Sequence, residues 1–165
     1  MRSYRLEETR LRLFYLVAVV TGAFGVVLGA LFFWLVSQLG LDVIGLAIAV
    51  LPVVLLGGLA LAIVYYARSI RLELTDQGVA MRLPGAAVEA DWADVERIGP
   101  AAWGPLTGDA LILRRPARTR WAWWLALLGG PFDESAIPIG PFALPLRGSR
   151  LEADLRGRMP ALFES

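Results

Sequence analysis

The chain has 165 residues, a net charge of +1, 19% charged residues, and neither cysteine nor histidine. Those absences exclude disulfides, thiol nucleophiles, histidine-based proton transfer and zinc sites of the usual nitrogen and sulfur type. All sixteen basic residues are arginine, which also removes lysine Schiff-base chemistry and the P-loop lysine.

Residues 1–12 hold Arg2, Arg5, Arg10 and Arg12 against Glu7 and Glu8, and are read as a cytoplasmic N-terminal segment. Stretches 13–41 and 43–67 follow, 29 and 25 residues without a charge, parted only by Asp42. Each exceeds the roughly 20 apolar residues that cross a bilayer core, so residues 13–67 predict a transmembrane helical hairpin. The turn at 37–42 has no positive residue, whereas Arg68 and Arg71 follow the second stretch. Arginines flanking spans stay in the cytoplasm, which puts both termini there and the turn outside. A cleaved signal peptide would have an apolar core of about 7–15 residues and a small-residue cleavage site. A long uncharged run leading straight into a second does not fit that pattern.

Asp42 directly precedes Val43 and Ile44, where it can cap the second helix and complement its positive end. An ion-pathway role is the weaker alternative. Ala18, Gly22, Gly25 and Gly29 recur three or four apart on the first span, and such rows let helices approach closely in lipid. The face serves either packing of the two spans on each other or a homodimer. Pro52 should bend the second span locally. With two spans and Thr21 as the one polar residue away from the turn and the tyrosines near the arginine-rich ends, no transport path is visible.

Residues 68–165 hold twelve Arg and twelve Asp or Glu, so they lack the basic excess of a nucleic-acid binder. Residues 69–74 alternate apolar with polar, residues 75–78 read as a turn needing glycine at positive φ, and residues 79–83 resume the alternation: a β-hairpin. Residues 87–92 alternate again, residues 92–99 turn into a further strand, and residues 111–113 make a short buried one. Residues 136–139 read as an edge strand because Pro138 cannot donate to a ladder. Ser149 and Glu152 form a capping box, with Leu151, Leu155 and Met159 on one face of the helix that follows.

The string Leu74-Thr75-Asp76-Gln77-Gly78-Val79, followed by Val88-Glu89-Ala90-Asp91-Trp92-Ala93-Asp94-Val95-Glu96-Arg97-Ile98, resembles the bacterial pleckstrin-homology-like domains of small membrane proteins. There an L-T-D-x-G hairpin precedes W-x-D-V/I-x-x-I. Ile137-Pro138-Ile139 and the Leu151…Leu155 helix resemble their closing strand and helix. The resemblance covers about residues 66–163 and implies an α+β membrane protein: a two-helix hairpin, then a small β-barrel or sandwich closed by a C-terminal helix, in a bacterial inner membrane. In eukaryotic relatives a basic loop between the first two strands holds lipid phosphate. Here that loop is the short, acidic Thr75-Asp76-Gln77-Gly78, which argues against phosphoinositide binding at that place.

One stretch suggests contact with something outside the domain. Arg114, Arg115, Arg118 and Arg120 run into Trp121, Trp123 and Trp124 within a twelve-residue uncharged segment. As a helix that segment spans only about 18 Å, too short to cross. Arginine beside tryptophan is typical of the headgroup level, where each juxtamembrane arginine gains on the order of 1 kcal/mol near an anionic leaflet. Packing within the protein and a partner-protein surface are the alternatives. Asp91, Asp94 and Glu96 crowd one short stretch and read as a solvated turn rather than a cation site; alternation would put Asp94 and Glu96 on one face. No nucleophile elbow or dinucleotide fingerprint occurs. The expectation is a non-catalytic anchored protein with no cofactor or metal. It presents a surface to lipid headgroups or to an unidentified protein at the cytoplasmic face. The alternative is an accessory subunit that docks through its spans on a larger envelope or transport complex.

Overall fold

The computed structural model describes residues 2–40, 42–103, 106–122 and 134–163. It divides into two units, one of helices over Glu8–Arg68 and one of strands that takes in the segment before Glu8 together with Ser69 onward.

The helical unit is two long helices, α1 (Glu8–Ser37) and α2 (Asp42–Ser69). Both are long and apolar enough to span a membrane. Within the described residues only 17% and 6% of their most apolar windows are buried. The core helix of a water-soluble fold would be mostly covered. Here Val19, Val27, Leu55 and Leu61 point outward instead. Their polar groups are satisfied inside the helix: Thr21 donates to the Val17 carbonyl at 2.8 Å and Ser37 to the Trp34 carbonyl at 2.8 Å. In hydrocarbon nothing else would be available to accept them. Helix α2 runs continuously through Pro52. Asp42 is its first residue.

Small residues fix how the two helices meet. A β-carbon at Gly25 would stand 2.9 Å from Leu56 Cβ and 3.1 Å from the Pro52 carbonyl oxygen. One at Gly29 would stand 2.6 Å from the Ala49 carbonyl oxygen, and one at Gly22 3.9 Å from Ala60 Cβ. Ala18 is buried as well. At the arginine-rich end, Arg68 Nε donates to the Tyr15 hydroxyl at 2.7 Å.

The second unit has two antiparallel sheets. One runs β1 (Arg2–Arg5), β2 (Arg71–Leu74), β3 (Gly78–Leu83), β4 (Ala86–Asp91) and β7 (Arg118–Trp121), in that order. The other runs β5 (Val95–Trp103), β6 (Leu106–Leu113) and β8 (Ala136–Pro138). Strand β8 is an edge, as Pro138 requires. Leu72, Met81 and Val88 share one cross-strand row and are fully buried. Leu111, Ile137 and Ile139 are buried too. Helix α3 (Arg150–Arg158) adds Leu151 and Leu155 to the core. The serine half of its capping box forms, with Ser149 Oγ accepting from the Glu152 N–H at 3.0 Å. Glu152 Oε2 accepts from the Gly148 N–H at 2.5 Å, one residue before the cap, and the Ser149 N–H donates to the Leu146 carbonyl instead.

Four expectations change. The N-terminal segment 1–12 divides: Arg2–Arg5 is a sheet strand whose partner β2 lies beyond the helices, and α1 begins at Glu8. Gly78 does not have positive φ, which falls instead on Gly40, Gly85 and Gly148. Glycine is needed at 78 because a β-carbon there would collide with the Ala90 carbonyl oxygen of the neighbouring strand. Residues 118–121, read as part of an interfacial stretch, form a strand against β4. Asp94 closes a 3-10 turn while Glu96 falls at a register shift in β5, so the two do not alternate along one strand.

Candidate functional site

The two strings that carry the family resemblance meet in space. In the turn between β2 and β3, Thr75 Oγ1 accepts from the Gly78 N–H at 3.0 Å. The Trp92 indole donates to the Thr75 carbonyl at 3.0 Å, and its backbone N–H to the Gln77 carbonyl at 3.1 Å. Arg158, at the end of α3, donates to the same Thr75 carbonyl at 2.6 Å and to Asp76 at 3.1 Å. Thr75, Gly78 and Trp92 thus build one corner, and the closing helix occupies it. The Thr75–Gly78 loop is engaged by the chain's own C-terminal helix.

The basic and acidic clusters, far apart in sequence, also come together. Arg118 pairs with Asp91 at 3.0 Å and Arg115 with Asp94 at 3.8 Å. The Arg114 N–H donates to the Asp94 carbonyl at 2.8 Å, and the Ala117 N–H to the Glu134 carbonyl at 2.8 Å. Thr119 Oγ1 donates to Glu134 at 3.1 Å. These exposed ion pairs contribute about 1 kcal/mol or less each, but they use half of the positive charge attributed to this stretch. Arg114 and Arg120 are exposed and, among the described residues, without an ion-pair partner. Trp121 is the last residue of β7. Trp123 and Trp124 lie outside the described residues.

At the N-terminus, Arg2 and Tyr4 both donate to the Asp154 carboxylate of α3. Those two hydrogen bonds, Arg2 first, hold the Asp154 carboxyl below its usual range. Burial, and then the bond to Asp154, push the Tyr4 hydroxyl up. The strand that precedes the helical hairpin is thereby tied to the last helix of the chain.

Sequence reasoning missed one feature altogether. Register sets Arg5 opposite Arg71, Arg71 opposite Arg82, Arg82 opposite Ala87, and Ala87 opposite Arg120. Cross-strand partners share a face, so four arginines and one alanine form a single row across all five strands. The adjacent row, Tyr4, Leu72, Met81, Val88 and Thr119, faces the core. The arginine row therefore lies on the outer face, and all four arginines are exposed. Only strand pairing reveals it, because its members come from positions 5, 71, 82 and 120.

The same sheet has a second outer row of Ser3, Glu73, Ala80, Glu89 and Arg118. Glu73 reaches diagonally to Arg82 at 2.7 Å. Two open depressions lie elsewhere on this unit, of about 520 and 270 Å³. The larger is lined by Asp109, Arg147, Glu152 and Arg156, with Glu152 paired to Arg156 and bonded to the Gly148 N–H. Among the described residues no group of three potential metal ligands occurs.

No family model matches this chain, and neither a curated protein nor a solved structure shows significant similarity to it. The class of protein is accordingly defined by its own architecture: two membrane-length helices inserted between the first and second strands of an antiparallel β unit.

Proposed function

We propose that this chain is a non-catalytic, membrane-anchored protein of the bacterial pleckstrin-homology-like kind. Its hairpin crosses the inner membrane twice. Its β unit offers an interaction surface to lipid headgroups or protein at the cytoplasmic face. Two antiparallel sheets closed by a C-terminal helix support the likeness of fold. The outward-facing apolar side chains of α1 and α2 support insertion, since apolar surface of that extent is unfavourable in water.

The observation that carries the reading is the pairing of β1 with β2. A β-ladder cannot form across a bilayer, so Arg2–Arg5 and Arg71–Leu74 must lie on the same side of it. The 61 residues between Glu8 and Arg68 must therefore cross an even number of times. Two helices of spanning length supply that number. The arginines at both ends set the side as cytoplasmic. Removal of the first span as a signal peptide would also remove a sheet strand, which argues against cleavage. The small-residue face that an accessory subunit would use for docking in the membrane is already occupied by α2.

Because the chain has no cysteine, single substitutions test this reading cleanly. In intact cells a membrane-impermeant maleimide should label Leu39→Cys in the turn and leave Gln77→Cys unlabelled until the cells are opened. Labelling of Gln77→Cys from outside would overturn the orientation. Release of the protein from membranes by carbonate would overturn insertion.

A further inference from the structure

We infer that the arginine row Arg5–Arg71–Arg82–Arg120 is a docking surface for the anionic phospholipid headgroups of the leaflet in which the chain is anchored. This rests on the membrane-anchored reading above and names the ligand and the residues.

The row is not explained by folding. Like charges directly opposite one another across strands destabilise a sheet, and here Arg5, Arg71 and Arg82 stand side by side on consecutive strands. A face built only for solubility would alternate sign. Here arginines fill one row without an acid, while Glu73 and Glu89 fall in the next, where the one arginine, Arg118, pairs with Asp91 at the far end of β4. Of the four arginines only Arg82 has an ion-pair partner among the described residues. Neighbouring strands lie about 4.8 Å apart, so five strands offer a basic strip about 20 Å long. An array of phosphates fits such a strip better than one small anion does, and guanidinium groups bind phosphate through paired N–H donors.

The strip also lies at the right end of the sheet. Arg5 is three residues before the start of α1, and Arg71 is two residues after the end of α2. At no more than about 3.6 Å per residue, the chain itself keeps both arginines within about 11 Å of a helix terminus. The row that holds Glu73 and Glu89 is one step further along the strands. Tethering keeps the local concentration of headgroups high, so weak individual contacts suffice. This surface is distinct from the Thr75–Gly78 turn.

The test uses the full chain in nanodiscs with a nitroxide on Ala87→Cys, the uncharged member of the row. A second protein carries the label on Leu55→Cys, an outward-facing position of α2. In pure phosphatidylcholine the Ala87 label should collide freely with a water-soluble nickel chelate. With about a third phosphatidylglycerol it should become protected, and added salt should reverse the protection. Combining Arg5→Gln, Arg71→Gln and Arg120→Gln should lower the docked-to-free ratio on the order of a hundredfold, about fivefold per arginine. Equal accessibility of Ala87 in both lipids, with the Leu55 label still buried in lipid, overturns the inference and leaves the anchored reading standing; it would point to an acidic protein as the occupant. Exposure of the Leu55 label to the chelate overturns the anchored reading itself.

Discussion

The close approach of α1 and α2 predicts a large effect from a single methyl group. In Gly29→Ala the new carbon would sit 2.6 Å from the Ala49 carbonyl oxygen and 2.8 Å from Val53 Cγ2. Ordinary contact begins near 3.4 Å, so the helices must part locally by about 0.8 Å. A gap of that size forfeits a quarter to a half of each dispersion contact across it, and overpacking of this kind costs about 1–3 kcal/mol. In lipid no hydrophobic effect restores the loss. The cysteine-free chain allows a direct assay. Gly22→Cys combined with Ala60→Cys places two β-carbons about 3.9 Å apart, the separation a disulfide favours. Glutathione titration of this pair in nanodiscs reads the effective concentration of the two thiols. Adding Gly29→Ala should lower it roughly ten- to a hundredfold. Gly57→Ala, where nothing lies within 4 Å, should leave it unchanged or slightly raised. An unchanged value with Gly29→Ala would refute the packing argument. Rapid dimer formation by Gly22→Cys alone would show that the small face serves a homodimer.

Three further outcomes concern the β unit. Asp154→Asn should lower the melting temperature by about 4–8 °C at neutral pH, because it weakens the bonds from Arg2 and Tyr4. The Asp154 carboxyl titrates below its ordinary value of 3.8 when folded. Its stabilisation is therefore complete above that value and is lost as the pH falls through the folded one, so melting curves of parent and variant should converge in acid. Ser149→Ala removes the acceptor for the Glu152 N–H and should cost about 1 kcal/mol in denaturant unfolding. Gly78→Ala forces β3 away from Ala90 and should cost about 1–3 kcal/mol or more, with the largest loss of amide protection along the β3–β4 ladder.

What the sequence disclosed, and what it withheld, follows from the range of each interaction. The two helices were legible because uncharged length is a local property. The hairpin at residues 71–83, the edge strand with Pro138 and the capping box were legible because turn chemistry and side-chain period act over a few residues. Strand β1 was not. Arg-Ser-Tyr-Arg has no apolar alternation of its own, and its partner β2 begins beyond both helices. Strand β7 was hidden for a related reason: its arginines, Arg118 and Arg120, fall in two outer rows, so composition suggested a free basic segment where pairing with β4 makes a sheet edge.

The candidate surface shows the same division more sharply. A linear scan weights Arg114, Arg115, Arg118 and Arg120 because they are contiguous, yet two of them face Asp91 and Asp94. Contiguity in sequence says little about net field when acidic residues return from another strand. Arg5, Arg71, Arg82 and Arg120 are scattered over more than a hundred positions, but antiparallel register places them in one line. Arg5 joins that line only through β1, whose pairing sets it beside Arg71 on the far side of the helical unit in sequence. The β1–β2 pairing that brings the two ends of the helical unit onto one sheet is thus the same one that completes the basic strip. Deleting residues 2–5 should therefore remove Arg5 and expose β2 as an edge. Loss of lipid-dependent protection at Ala87 alongside retained membrane insertion would separate the strip's role from that of the anchor.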